Sequence, residues 1–162
     1  MIKFYFIIMN MNKFKDVFIV STDTVTGIGI SIHHENPNLL YELKNRPKNK
    51  KIAIVVGSIE QARKMPFWNE KAEAFANILW PGAVTLIVND QAIRMPNCKK
   101  LQDFIIDEGP FFLTSANKSG EDPIEINNAQ KIFPEVTKIY NFCKGNGKSS
   151  IIIDIETKKR LR

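Results

Sequence analysis

Two places in this chain bring hydroxyls, an amide and a carboxylate to the end of an apolar run, and both have the composition of a site. In the first, Phe18-Ile19-Val20 breaks into Ser21, Thr22, Asp23 and Thr24, followed by Gly27 and Gly29. In the second, Phe111-Phe112-Leu113 runs into Thr114, Ser115, Ala116, Asn117, Lys118, Ser119 and Gly120. A strand that delivers small polar groups to its mouth, beside glycines that let backbone approach closely, suits a small-molecule site. A strand ending in an ordinary Ser/Thr/Asp turn reads equally well for either stretch alone. Two such ends in one chain look like two walls of one site.

Cations supply the other half of the chemistry. Lys44, Arg46, Lys48, Lys50 and Lys51 crowd the junction before the apolar run Ile52 to Val56. Such a junction could hold a polyphosphate, and a solvated lysine loop is the competing reading. Arg94, inside the short apolar strand Ala92-Ile93-Arg94-Met95, needs an anion: a carboxylate of the protein or one of a ligand. With only two histidines, and both cysteines outside the hydroxyl-rich ends, the composition argues against covalent or histidine-driven catalysis. Chemistry here would rest on positioning and on charge stabilisation. His33-His34 reads as a solvated turn, since no further ligands stand at a telling spacing for a metal.

The elements that would position these groups follow from local signals. Asn36-Pro37 reads as an N-cap with proline at the first helical position, with Leu39, Leu40 and Leu43 on one face and a stop at Asn45. Ser58 and Gln61 form a capping box for a short helix from Ile59 to about Lys64. Asn69 caps the next helix, which Trp80-Pro81-Gly82 ends before the strand Ala83 to Val88. Leu101, Phe104 and Ile105 give a further amphipathic helix, closed by Gly109-Pro110. Asn127 to Phe133 reads as helix, Val136 to Asn141 and Ile151 to Ile155 as strands, and Lys158 to Arg162 as a short terminal strand. The Gly147-Lys148-Ser149 run resembles the end of a phosphate-binding P-loop, but the spacing puts Phe142 where that motif needs its first glycine, and a strand follows it.

At 162 residues the chain is most simply one domain, residues 1–162, with residues 1–12 as a candidate N-terminal extension. The run Phe4 to Met9 reads as a strand or as part of that extension, since it is too short to span a membrane. The net charge of +6 favours anionic partners without choosing among them. Cys98 and Cys143, far apart and in no CxxC, read as two free thiols in a reducing cytoplasm.

Taken in order, STDTVTGIG, LKNRPKNK before IAIVV, LWPGAVTLIV, AIRMP, LTSANKSGEDP and GKSSIIID resemble the YrdC-type domain of threonylcarbamoyl-AMP synthases, from about Val17 onward. The resemblance implies an α/β fold: an open, twisted, mixed sheet with flanking helices and a large positively charged cleft at the strand ends. It implies synthesis of threonylcarbamoyl-AMP and pyrophosphate from L-threonine, bicarbonate and ATP with Mg2+. The tRNA threonylcarbamoyl-transferase machinery would consume the product, in the cytoplasm and away from membranes, and direct tRNA contact is left open. By the same resemblance Lys44, Arg46, Ser115 and Asn117 are the catalytic set. Arg46, Lys50, Ser115 and Arg162 would face ATP, and Thr24, Arg94 and Ser149 would face threonine, with no protein ligand assigned to a metal.

Departures from the family pattern stand at Ser21, commonly proline, and Thr26, commonly aromatic, which implies a smaller and wetter substrate pocket. The last strand is compressed and the chain stops at Arg162 without the proline-glycine that often follows; separately, the additional C-terminal domain of longer relatives is absent, which reads as the short, single-domain form. Two alternatives remain: an RNA-binding module on the same fold, or a nucleotide-binding paralogue with another carbamoyl or acyl acceptor.

Overall fold

The computed structural model describes residues 1–162. In chain order the elements are α1 (Ile2–Lys13), β1 (Phe18–Val20), β2 (Gly27–Ser31), α2 (Leu39–Lys44), β3 (Ala53–Val55), α3 (Ile59–Arg63), α4 (Glu70–Leu79), β4 (Val84–Val88) and β5 (Gln91–Arg94). They continue with α5 (Lys99–Glu108), β6 (Phe111–Ser115), a 3-10 turn (Ile126–Asn128) leading into α6 (Ala129–Ile132), β7 (Lys138–Tyr140), β8 (Ile151–Asp154) and β9 (Lys159–Arg160). The strands form one nine-stranded mixed sheet in the order β7-β1-β2-β6-β3-β5-β4-β8-β9. Pairs β1/β7, β3/β5 and β4/β8 are parallel, and the other neighbours are antiparallel.

Register separates the two faces. Ile30, Phe112 and Ile54 are successive cross-strand partners and so point the same way. On that face the leucines of α2 pack with Ala129 of α6 against Ile19, Ile28 and Ile30, while Ala62 of α3 and Ala72 and Ala76 of α4 pack against Ile54, Leu86 and Ile93. The opposite face presents Phe18, Val20, Val55, Phe111 and Leu113, and α5 covers part of it with Leu101 and Ile105. Both faces of β1 are therefore apolar, which explains its unbroken hydrophobic run. Gly29 serves this packing: a Cβ there would lie 2.7 Å from the Phe112 carbonyl and 2.9 Å from the Phe18 ring.

The capping signals at Ser58 and Asn69 hold. The Ser58 hydroxyl accepts from the Gln61 backbone, and the Asn69 side chain accepts from the Ala72 backbone. Asn45 ends α2 in the left-handed conformation, with φ 52°. Three expectations are corrected. Residues 2–13 form a helix, not a strand: the stretch lies outside the sheet, with no cross-strand partner, and its backbone groups pair within the segment. Asn36 is not the N-cap of α2. Its side chain accepts from the Asn38 backbone in a local turn, and the helix begins at Leu39.

The two cysteines are the third correction. Cys98, before α5, and Cys143, after β7, are joined in a disulfide with a Cα–Cα distance of 6.1 Å. Parallel pairing of β7 with β1 carries Cys143 past the end of β1, where α5 begins, so chain topology brings together residues 45 apart in sequence.

Candidate functional site

The hydroxyl-rich end of β1 is tied into a defined turn. Thr22 Oγ1 accepts from the Thr24 backbone at 3.0 Å, and its hydroxyl donates to the Val25 carbonyl at 2.6 Å. The two threonine hydroxyls lie 3.0 Å apart, so with Thr22's proton committed the one between them belongs to Thr24. Arg94 Nη2 donates to Thr24 Oγ1 at 3.2 Å. Thr24, only 3% exposed, thereby keeps one acceptor position.

Arg94 finds its anion within the protein. Nη1 donates to Asp23 Oδ1 at 2.9 Å and to the Gly82 carbonyl at 3.2 Å, and the pair is nearly buried. Asp23 had no expected role, yet the one arginine set inside an apolar strand signals a carboxylate partner.

The second hydroxyl-rich end meets the basic junction. Lys44 Nζ, on a side chain 1% exposed, donates to Thr114 Oγ1 at 3.3 Å, to Asn117 Oδ1 at 3.4 Å and to the Ser115 carbonyl. All three of its N–H donors thus face the protein. Burial lowers its pKa from 10.5 to about 8, and the nearby Arg46 charge pushes the same way. Ser115 Oγ donates to Asn117 Oδ1 at 2.6 Å, while Asn117 Nδ2 donates to the carbonyls of Lys118 and Glu121. Lys44 and Asn117 therefore shape this loop from behind. Arg46 donates through Nε to the Lys50 carbonyl at 2.9 Å and through Nη2 to that of Lys51 at 3.1 Å, and burial holds its pKa below the usual value.

A cavity of about 200 Å³ joins these groups. Its floor is made by alternate residues of six strands, among them Gly27, Val55, Arg94, Leu113, Ser115 and Ile152, so it lies on the sheet face that α5 leaves open. Its rim is made by residues at and beyond strand ends, among them Thr22, Thr24, Arg46, Ser149 and Ser150. Of the expected site residues, Thr24, Arg46, Arg94, Ser115, Ser149 and Arg162 line it. Lys44, Lys50 and Asn117 do not. Lys51 lines it in place of Lys50, in the segment that leads through Ile52 into β3. The buried Thr85–Ser150 hydroxyl pair, 2.8 Å apart, lines it too, and Arg162 Nε donates to the Ser150 carbonyl at 3.0 Å. No pattern marked Thr85: it is one of several polar residues on half-apolar strands.

A second cavity of about 560 Å³ shares Thr22, Thr24 and Val25 with the first and is closed by residues 122–126 and by the segment carrying Lys144, Gly145 and Gly147. Thr26 and Ser21 line this one. The two departures from the family pattern thus stand on the far side of the shared wall. No three His, Cys, Asp or Glu side chains gather anywhere to hold a metal. No Asp or Glu side chain lines the first cavity, and both Asp23 oxygens are already engaged.

Fold and site together define a class: an α/β domain with helices on both sides of a twisted mixed sheet, and a polar cavity on the part of one face that they leave uncovered. The chain belongs to the Sua5/yciO/yrdC family, described as "Telomere recombination", which matches residues 13–162. An "Uncharacterized protein MG259 homolog" of Mycoplasma pneumoniae is 28% identical over 149 residues, covering 89% of this chain and 31% of that protein. A threonylcarbamoyl-AMP synthase of Pyrococcus abyssi is 32% identical over 120 residues, covering 62% of this chain and 34% of the relative. The crystal structure of P. abyssi Sua5 complexed with L-threonine superposes with a TM-score of 0.77 at 25% identity, over 91% of this chain and 50% of that one. This chain therefore spans about a third to a half of these relatives.

Proposed function

We propose that the chain carries the threonylcarbamoyl-AMP synthase reaction: L-threonine, bicarbonate and ATP give threonylcarbamoyl-AMP, pyrophosphate and water. The observation that carries the reading is the convergence of Thr24, Arg94 and Ser149 with Arg46, Ser115 and Arg162 on one cavity. Arg46 and Arg162 line that cavity with no Asp or Glu side chain in its lining, while Arg94 and Lys51, paired with Asp23 and Asp90, add oriented donors, which supports reading it as the positively charged cleft the reaction needs. The likeness to a Sua5 structure holding L-threonine supports the same assignment.

The chemistry needs no protein nucleophile. The threonine amine adds to the carbon supplied by bicarbonate with loss of water, and a carbamate oxygen then attacks the α-phosphate of ATP as pyrophosphate leaves. Three anions must be held together without mutual repulsion, which is the task of oriented donors and cations. Arg94 and Thr24 take the amino acid, with the free acceptor of Thr24 facing its amine. Arg46, Ser115 and Arg162 take the nucleotide, with Lys44 and Asn117 holding Ser115 and Lys50 at the outer edge of the phosphates. The donor set does not fit a protein-held Mg2+, which ordinarily takes one or two carboxylates. The ion belongs to this reaction as part of the MgATP substrate.

The same reading assigns the protein to the cytoplasm and gives its product to the tRNA threonylcarbamoyl-transferase machinery. The test is pyrophosphate release from MgATP, with and without L-threonine and bicarbonate, and with serine in place of threonine. Release that needs both co-substrates is the expected result. Arg46→Ala, removing a charge-assisted contact worth roughly 1.5–3 kcal/mol, should cut it by about 10- to 150-fold. Threonine-independent turnover points to the paralogue, and RNA binding without ATP binding points to the RNA module.

A further inference from the structure

Asp23 is the one carboxylate in the turn that follows β1, and both of its oxygens are in use. Oδ1 accepts from Arg94 Nη1 at 2.9 Å, and Oδ2 accepts from the Asn97 backbone at 2.9 Å. Its own carbonyl accepts from the Asn146 backbone at 3.1 Å. One residue thus joins the β1 turn, the segment after β5 and the loop that leads to Ser149.

The contact also decides what Arg94 has left to offer. A guanidinium carries five N–H donors in a rigid fork. Three are spent, on Asp23, the Gly82 carbonyl and Thr24 Oγ1. Two remain, the number needed to hold one carboxylate through both oxygens. Asp23 also balances the Arg94 charge, so an incoming carboxylate meets an oriented fork more than a bare cation. An arginine on a strand, with its Nη1 end fixed from behind, is pre-organised for one ligand direction.

We infer that Asp23 is the positioning residue of the amino-acid subsite: it aims the two free donors of Arg94 at the substrate carboxylate without touching the substrate. The inference rests on the proposed synthase reading and assigns that site a residue which the expected set lacks. It predicts an effect confined to the amino-acid substrate, because Asp23 contacts neither Arg46 nor Ser115.

The experiment is pyrophosphate release measured against threonine and against MgATP for wild type, Asp23→Asn and Asp23→Ala, with calorimetric binding of L-threonine and thermal unfolding of each. Asp23→Ala should raise the KM for threonine tenfold or more while the KM for ATP stays within twofold. Asp23→Asn, which keeps one acceptor for Arg94, should fall between Asp23→Ala and wild type, and it carries the test if Asp23→Ala does not fold. An unchanged threonine KM, or equal rises in both constants, overturns the inference while the synthase reading stands. Wild-type protein that binds no threonine overturns both.

Discussion

Lys44 is the residue whose surroundings have the clearest measurable consequence. Its ammonium is buried among three acceptors, and its pKa is lowered from 10.5 to about 8. A lowered folded-state value means that the unfolded chain holds the proton more tightly between about pH 8 and 10.5. Over that window the contribution of Lys44 to stability rises with pH. Activity should move the other way. Losing the ammonium removes the charge-assisted contacts that fix the Ser115 to Asn117 segment, so turnover should fall as pH rises through about 8. Comparing the pH dependence of turnover and thermal stability with Lys44→Met isolates this residue, since the variant should lack both trends. The motif order pointed to Lys44, and the geometry adds that it acts through Ser115 and Asn117.

At the scale of elements, the loop between β7 and β8 is held against the β1 turn by backbone. The amide of Asn146 donates to the Asp23 carbonyl and that of Gly147 to the Thr24 carbonyl, while a Cβ on Gly145 would lie 2.3 Å from the Thr24 carbonyl oxygen. Gly145→Ala should therefore push the loop off the turn, at a cost of about 1–3 kcal/mol, and, on the proposed synthase reading, weaken threonine binding by displacing Ser149. Chemical denaturation and calorimetry check the two effects separately. This approach was not legible beforehand, because a glycine in a polar run looks the same whether or not another strand end lies against it. Most signals confined to a few residues were legible: the Ser58 and Asn69 caps and the Asn45 stop involve groups within one helical turn, whereas the Asn36-Pro37 signal forms a local turn in place of a cap. The exchange of Lys50 for Lys51 in the cavity, the Asp23 contact with Arg94 and the cysteine pairing all depend on where separate strands end. Phe4 to Met9 was ambiguous for another reason: an unbroken apolar run has no period to separate strand from helix.

For the molecule as a whole, the sheet with helices on both faces forms the body, and α1 stands outside it. No residue of α1 is buried, and large apolar side chains from Ile2 to Met9 are half or more exposed. Its last residue, Lys13, pairs with Glu42 at 2.5 Å on the surface, and Phe14, just after it, is the first side chain to enter the core. Removing residues 1–12 should leave the midpoint of thermal unfolding within about 2 °C of the full chain, since surface changes typically stay within about 0.5 kcal/mol. A larger drop would mean that α1 packs against something the body needs. The order of motifs along the chain was enough to anticipate the sheet and its family, because those motifs are the strand ends. The cavity's place on an open face was not, since it depends on how far α5 extends across the sheet.

The Cys98–Cys143 bridge leaves the chain with no free thiol. Cys98 adjoins Asn97, whose amide holds Asp23, and the Cys143 amide donates to the Ser21 hydroxyl at 2.9 Å, so the bridge clasps both ends of the site turn. The native protein should therefore refuse a maleimide label until a dithiol is added. Labelling the purified protein before and after reduction, with activity followed alongside, then reads out whether the clasp is closed and what it contributes to turnover.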